Sequence, residues 1–262
     1  MARYRKRFVA LAAVTIVILA AAALAAAGYL MARSTEQWTP VPPVTEPHDS
    51  PGTPPDDAII LFGGRDLSAW VSSRDQGPAR WRVHEGVFTV NKASGSIETR
   101  RKFRNFDLHL EWMVPANVTG SGQARGNSGV FLAKTGSGDS GYEVQILDAW
   151  RNPTYVNGMA GAVYKQHPPL ANPARPPGQW QSYDINWTAP VFAKDGKLAS
   201  PAVVTVVFNG VLVQDNFVLA GETRFIGTPG YHAHGPEPIM LQAHSDASEP
   251  VSFRNIWLRE LP

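Results

Sequence analysis

Between Phe106 and Val114 the chain alternates in character: Phe106, Leu108, Leu110, Trp112 and Val114 interleave with Asp107, His109, Glu111 and Met113. A period of two is the signature of a half-buried β-strand, because successive side chains point to opposite faces. Tyr183, Ile185 and Trp187 alternate with Asp184 and Asn186 in the same way. Val203–Phe208 is β-branched and almost wholly apolar, so it is expected to be covered on both faces. It runs into Asn209-Gly210, a strong two-residue hairpin signal, and then Val211-Leu212-Val213. Ile239–Ala243 and Val251–Leu258 read as closing strands. From Ile59 onward no stretch sustains a 3.6-residue period, and the apolar runs are punctuated by glycine and proline. Short strands between such turns predict an all-β sandwich or barrel.

The N-terminus is different. Arg3, Arg5, Lys6 and Arg7 precede a run from Phe8 to Ala32 of 25 residues without a charge. A spanning helix needs roughly 20 apolar residues, whereas the apolar part of a cleaved signal has about 7–15. The length favours an uncleaved anchor through residues 8–32; Ala25-Ala26-Ala27 also satisfies a small-residue cleavage rule, and a cleaved signal stays open. The positive-inside bias places the main body outside the cytoplasm, anchored in the one case, secreted or periplasmic in the other. Residues 1–33 are therefore read as a targeting segment. Residues 34–57 carry seven prolines and predict an extended, semi-rigid spacer. Residues 58–262 form the domain.

Cysteine is absent, which excludes disulfides, thiolate metal sites and a cysteine nucleophile. The formal net charge is +2, with part of the basic content spent on the export segment, and nothing in the pattern points to nucleic acid. The sequence fixes no oligomeric state.

Gly126–Leu132 and Gly141–Asp148 read as two strands joined by a glycine-rich loop. Tyr142, Val144 and Ile146 share one face; Glu143 and Gln145 share the other. An acid and an amide on one face fit a polar ligand, carbohydrate above all; a solvated outer face is the plain alternative. Gln242 and His244 share a face with Met240, opposite Ile239, Leu241 and Ala243. Trp150, Tyr155, Tyr164 and Trp180 sit in or beside loops where rings could stack on sugars. A retaining glucanase needs two carboxylates about 5–5.5 Å apart. Here the residue two after Glu143 is Gln145, and Asp148 lies at an odd spacing, which weakens that reading. A single base such as His244 or Glu143 fits better. His167, His232, His234 and His244 form no zinc spacing. No cofactor is signalled; a divalent cation held by Glu143, Asp148 and loop carbonyls stays open.

Five motifs in order then carry a resemblance. They are Leu61-Phe62-Gly63-Gly64-Arg65-Asp66-Leu67-Ser68-Ala69-Trp70, Gly126–Phe131 (GNSGVF), Tyr142–Asp148 (YEVQILD), Pro177–Ile185 (PGQWQSYDI) and Phe253–Arg259 (FRNIWLR). Together they resemble the 3-keto-disaccharide hydrolase domain family over residues 58–262. The resemblance implies a concanavalin A-like jelly-roll β-sandwich and activity on glycosides already oxidised to a ketone at sugar C3. By motif position it implies Glu143, Gln145 and His244 as site residues, with Asn127, Asp148, Tyr164 and Lys165 around them and Gln242 beside His244. His244 is expected to be the base, with Glu143 orienting it or gripping a hydroxyl or metal. The family often shows an acid before this histidine and a glycine after it; here Ala243 and Ser245 stand there. A non-catalytic glycan-binding module displayed at the cell surface is the alternative.

Overall fold

The structure is a computed structural model that describes residues 20–21, 23–49 and 52–262. In chain order the strands are β1 (Ile59–Phe62), β2 (Trp70–Ser72), β3 (Arg82–His84), β4 (Val87–Thr89), β5 (Ile97–Thr99), β6 (Asn105–Met113), β7 (Ser128–Lys134) and β8 (Gly141–Ile146). They continue as β9 (Gln181–Thr188), β10 (Val191–Phe192), β11 (Leu198–Ser200), β12 (Val203–Phe208), β13 (Val211–Val218), β14 (Met240–Leu241) and β15 (Ser252–Leu261). One sheet runs β13-β12-β9-β6-β15-β4-β3, with β1 also paired to β15; a second runs β2-β5-β14-β7-β8. The named pairings within both sheets are antiparallel, so the protein is a two-sheet β-sandwich.

The alternation read from the sequence sets the large sheet's inner face. Phe106 pairs with Trp187, Leu108 with Ile185 and Leu110 with Tyr183, and all six are buried. The outward residues of β6 make their own layer: His109 stacks on Trp257 and bonds Asp184 at 2.6 Å. Strand β12 corrects one expectation. Val204, Val206 and Phe208 are in the core, but Val203, Thr205 and Val207 are only half-buried, because the described residues cover the outer face of this strand only in part. Asn209 and Gly210 both have positive φ, at 46° and 71°, as the tight turn demands.

The small sheet meets the large one through side chains. Tyr142 of β8 packs on Trp187 with ring centroids 5.2 Å apart, and the Tyr183 hydroxyl donates to the Gln145 carbonyl at 2.7 Å. Across the small sheet, Ile97, Leu241, Val130 and Val144 are register partners that face the core. The adjacent row, Glu98, Met240, Phe131 and Glu143, must then face away from it.

Residues 23–33 are helical, and no helix among the described residues is long and apolar enough to cross a membrane. Residues 8–19 of the expected anchor lie outside the described residues. The proline-rich stretch is extended, as its prolines require, but it does not stand away from the domain. Val156 N–H donates to Gln37 O, Asn172 N–H to Pro43 O and His48 N–H to Asn209 O. Further along, Asn255 donates to Gly52 O at 2.6 Å. Backbone groups that have no partner within an extended, proline-rich stretch find partners on the domain here.

Candidate active site

On the face of the small sheet turned away from the core lies a cavity of about 710 Å³. Its floor comes from strand alternation. Glu143 and Gln145 project from β8, Phe131 from β7, and Gln242 from the chain just after β14, where its N–H donates to Gly129 O. Gly129 sits opposite Gln145 and beside Glu143. A Cβ there would lie 2.3 Å from Glu143 Oε1, so glycine is what lets the carboxyl lie flat on the sheet. The plain alternative, a solvated outer face, does not hold: Glu143 and Gln145 are both buried, because loops wall the floor on several sides.

Burial governs the chemistry of Glu143. Desolvation, reinforced by the negative charge of Asp139, lifts its carboxyl from 4.5 to about 8. No side chain or backbone group among the described residues hydrogen-bonds this carboxyl. At neutral pH it is mostly protonated and can donate a proton into the cavity. Gln145 Nε2 donates to Asn127 Oδ1 at 3.0 Å, and Asn127 Nδ2 donates to Gln123 O at 2.8 Å. This chain fixes both amides. The Tyr155 and Tyr164 hydroxyls bond each other at 2.7 Å; burial raises Tyr155 to about 12 and Tyr164 further, so both keep their protons. Gly158 permits this, because a Cβ there would lie 2.0 Å from the Tyr155 ring.

His244 also lines the cavity, with its side chain 34% exposed. Nδ1 lies 2.9 Å from Asp246 Oδ2 and 3.3 Å from the Asp246 N–H. The Asp246 side chain is buried, which favours its neutral form. Hydrogen bonds from Ser248, His244 and Lys92 outweigh that and hold it below the usual carboxylate range. The contact to the ionised Oδ2 is the shorter and charge-assisted one and needs the proton on Nδ1, whereas the Asp246 N–H could donate only to a bare Nδ1 at the longer distance; the shorter contact prevails and leaves the lone pair on Nε2. The acid missing before the histidine is thus supplied from two residues after it, and Glu143 does not orient this ring.

Six expected residues, Asn127, Glu143, Gln145, Tyr164, Gln242 and His244, meet in this one cavity. Two do not line it. Asp148 follows β8, where the strand has ended, and its buried carboxylate meets Arg125 Nε at 2.7 Å. Lys165 has φ 57°, and the turn sends its ammonium to the carbonyls of Ala32 and Phe225, at 2.5 and 2.9 Å. Of the two acids between which the sequence leaves a cation site open, Asp148 is engaged by Arg125 and does not line the cavity with Glu143. Among the described residues no three histidine, aspartate or glutamate side chains gather as a metal's ligands. Of the loop aromatics, Tyr155 and Tyr164 reach the cavity, whereas Trp180 lies under Arg254 at 4.2 Å.

Sequence reasoning missed three acids that line the cavity, Glu36, Asp139 and Asp246. Asp139 sits at the tip of the glycine-rich loop; Ser96 Oγ and Gln242 Nε2 donate to its two oxygens, at 3.3 and 3.0 Å. Gln242 Oε1 is buried without a partner among the described residues.

Known proteins place this architecture. A crystal structure of a candidate glycosyl hydrolase from Parabacteroides distasonis superposes with a TM-score of 0.76 at 52% identity, covering 87% of this chain and 96% of that one. A second candidate glycosyl hydrolase from the same species shares the fold, with a TM-score of 0.57 at 20% identity over 79% of this chain and 95% of its own. A 3-keto-disaccharide hydrolase of Bacteroides thetaiotaomicron is 25% identical over 159 residues, 50% of this chain and 52% of that protein. The chain thus aligns with about half the length of that relative. The model of the 3-keto-alpha-glucoside-1,2-lyase-like domain matches residues 57–259. With five ordered motifs, the two-sheet sandwich and this match in agreement, the chain belongs to the 3-keto-alpha-glucoside-1,2-lyase-like domain family.

Proposed function

We propose that the protein cleaves glycosides that carry a ketone at sugar C3, by elimination followed by hydration. One observation carries the reading: a single cavity pairs a protonated buried carboxyl, Glu143, with an imidazole, His244, held by a carboxylate. A C3 ketone acidifies the C2 proton. His244 Nε2 removes that proton, and the C2–H electron pair moves into an enolate with its charge on O3. Collapse of the enolate forms the C1–C2 double bond and breaks the bond from C1 to the glycosidic oxygen, which takes a proton from Glu143. Addition of water, hydroxide to C1 and a proton to C2, completes net hydrolysis. The reaction needs one base, one acid and donors for O3, and the Tyr155–Tyr164 hydroxyl pair and the cavity amides supply such donors. The concanavalin A-like jelly-roll class belongs to the same reading, as does display outside the cytoplasm, which rests on the basic start and the apolar run of residues 8–32.

The test uses the full chain with a 3-keto-disaccharide and its unoxidised parent, with and without divalent metal. Release of sugar from the keto substrate alone is the expected result. Binding of glycan without turnover of either compound would replace this reading with a non-catalytic glycan-binding module.

A further inference from the structure

The cavity has a wall that the family domain does not provide. The match to the family begins at residue 57, yet Glu36 lines the cavity. The segment that carries it is fastened to the domain at closely spaced points. Lys165 Nζ caps Ala32 O at 2.5 Å, Asn157 Nδ2 donates to Thr35 O at 2.9 Å, and Asn157 Oδ1 accepts from Gln37 N–H at 2.9 Å. Asn157 is fully buried, and Trp38 packs edge-on against Tyr155 with centroids 6.2 Å apart. The Glu36 side chain is only 13% exposed and makes a long ion pair with the half-exposed Arg33 at 3.8 Å. No hydrogen bond from the described residues reaches the Glu36 carboxylate, so its oxygens are available to a ligand.

Around Glu36 stand Tyr155, Tyr164 and the rim residue Phe225, which is 61% exposed. A carboxylate beside the exposed Phe225 ring suits a sugar: it accepts from neighbouring hydroxyls while the ring covers the C–H face. The lining adds a restriction. It includes Glu36, Asp139, Glu143 and Asp246 but neither lysine nor arginine. A sugar carboxylate would meet the charges of Glu36, Asp139 and Asp246 there, while the cations of this wall, Arg33 and Lys165, stand outside the lining and are turned to Glu36 and to backbone carbonyls.

Building on the keto-glycoside reading, we propose that the segment before the family domain forms a wall of the substrate cleft. Glu36 is then a specificity-determining residue that grips hydroxyls of neutral sugars and rejects uronic acids. The wall persists under either fate of the N-terminus, since a cut after Ala27 leaves residues 32–38 in place.

The experiment compares the full chain in detergent with Glu36→Gln, using a neutral 3-keto-disaccharide and its uronic-acid counterpart. The expected result is a KM for the neutral substrate raised about tenfold, a kcat within threefold, a several-fold weaker discrimination against the uronide and an unchanged Tm. Unchanged KM and discrimination would overturn the proposal, and so would a parallel fall in kcat and Tm, which would make Glu36 structural only. If the wild-type chain binds the neutral disaccharide without turning it over, the lyase reading fails alone, and the same comparison of Kd values decides the role of Glu36. A wild-type chain that neither turns over nor binds either sugar removes both.

Discussion

Replacing Glu143 with glutamine is expected to stabilise the protein while disabling it, and the gain should depend on pH in a defined way. The carboxyl titrates near 4.5 when exposed and at about 8 in the fold. Between those values the unfolded chain releases a proton that the folded chain keeps, so stability falls as pH rises across that window. It is intact below about 4.5 and fully lost above about 8. At about 1.4 kcal/mol per pH unit the ceiling of the loss is about 5 kcal/mol. Glutamine has nearly the same shape and no charge, and no hydrogen bond among the described residues is sacrificed. The assay is urea denaturation of both proteins from pH 4 to 9. The difference in stability should be near zero at pH 4.5 and climb to a plateau above pH 8. His109, lifted to about 9 by Asp184 and Glu111 against its burial, adds a second stability loss at high pH. Taking the difference between variant and wild type cancels it. A difference that is flat with pH, or a variant destabilised throughout, would refute the account of Glu143 as a buried neutral acid.

Other consequences can be checked separately. Turnover of the keto substrate should fall above about pH 8 as Glu143 loses its proton, and a pH–rate profile rising through pH 9 would contradict an acid role. His244→Ala should reduce kcat by about 10²–10⁴ with Tm nearly unchanged, since the ring is partly exposed; a large drop in Tm in thermal denaturation would make it structural. Asp246→Asn should cost both activity and stability, the latter by about 1–3 kcal/mol, because Lys92 and Ser248 lose a charged partner. Gly129→Ala should displace the Glu143 carboxyl, lowering kcat and costing about 1–3 kcal/mol by calorimetry.

The two sheets were legible because a period of two survives in β6 and β9 whatever their neighbours do. The same alternation put Glu143 and Gln145, and Gln242 with Met240, on one face of the small sheet. Legibility stopped where the strands stop. Asp148 lies past the end of β8, and Lys165 sits in a left-handed turn, so motif position could not say where either side chain points. Asp139, Asp246 and Glu36 reach the cavity from a loop tip, a turn and a distant strap. No local pattern marks such acids; only the closure of the fold brings them together. In the proline-rich segment composition reports stiffness, and the segment is extended; it does not report the carbonyls and amides on the domain surface to which the segment is bonded.

The Tyr183 hydroxyl, donated to the Gln145 carbonyl, ties the cleft floor to the opposite sheet. Every residue of β8 is buried, so the strand that bears the acid has no solvent-exposed edge from which to fray. The floor therefore belongs to the same cooperative melting unit as the aromatic centre of the sandwich. Heat inactivation should coincide with global unfolding, with no premelting loss of activity, and amide exchange at Glu143 and Gln145 should be as slow as at Trp187.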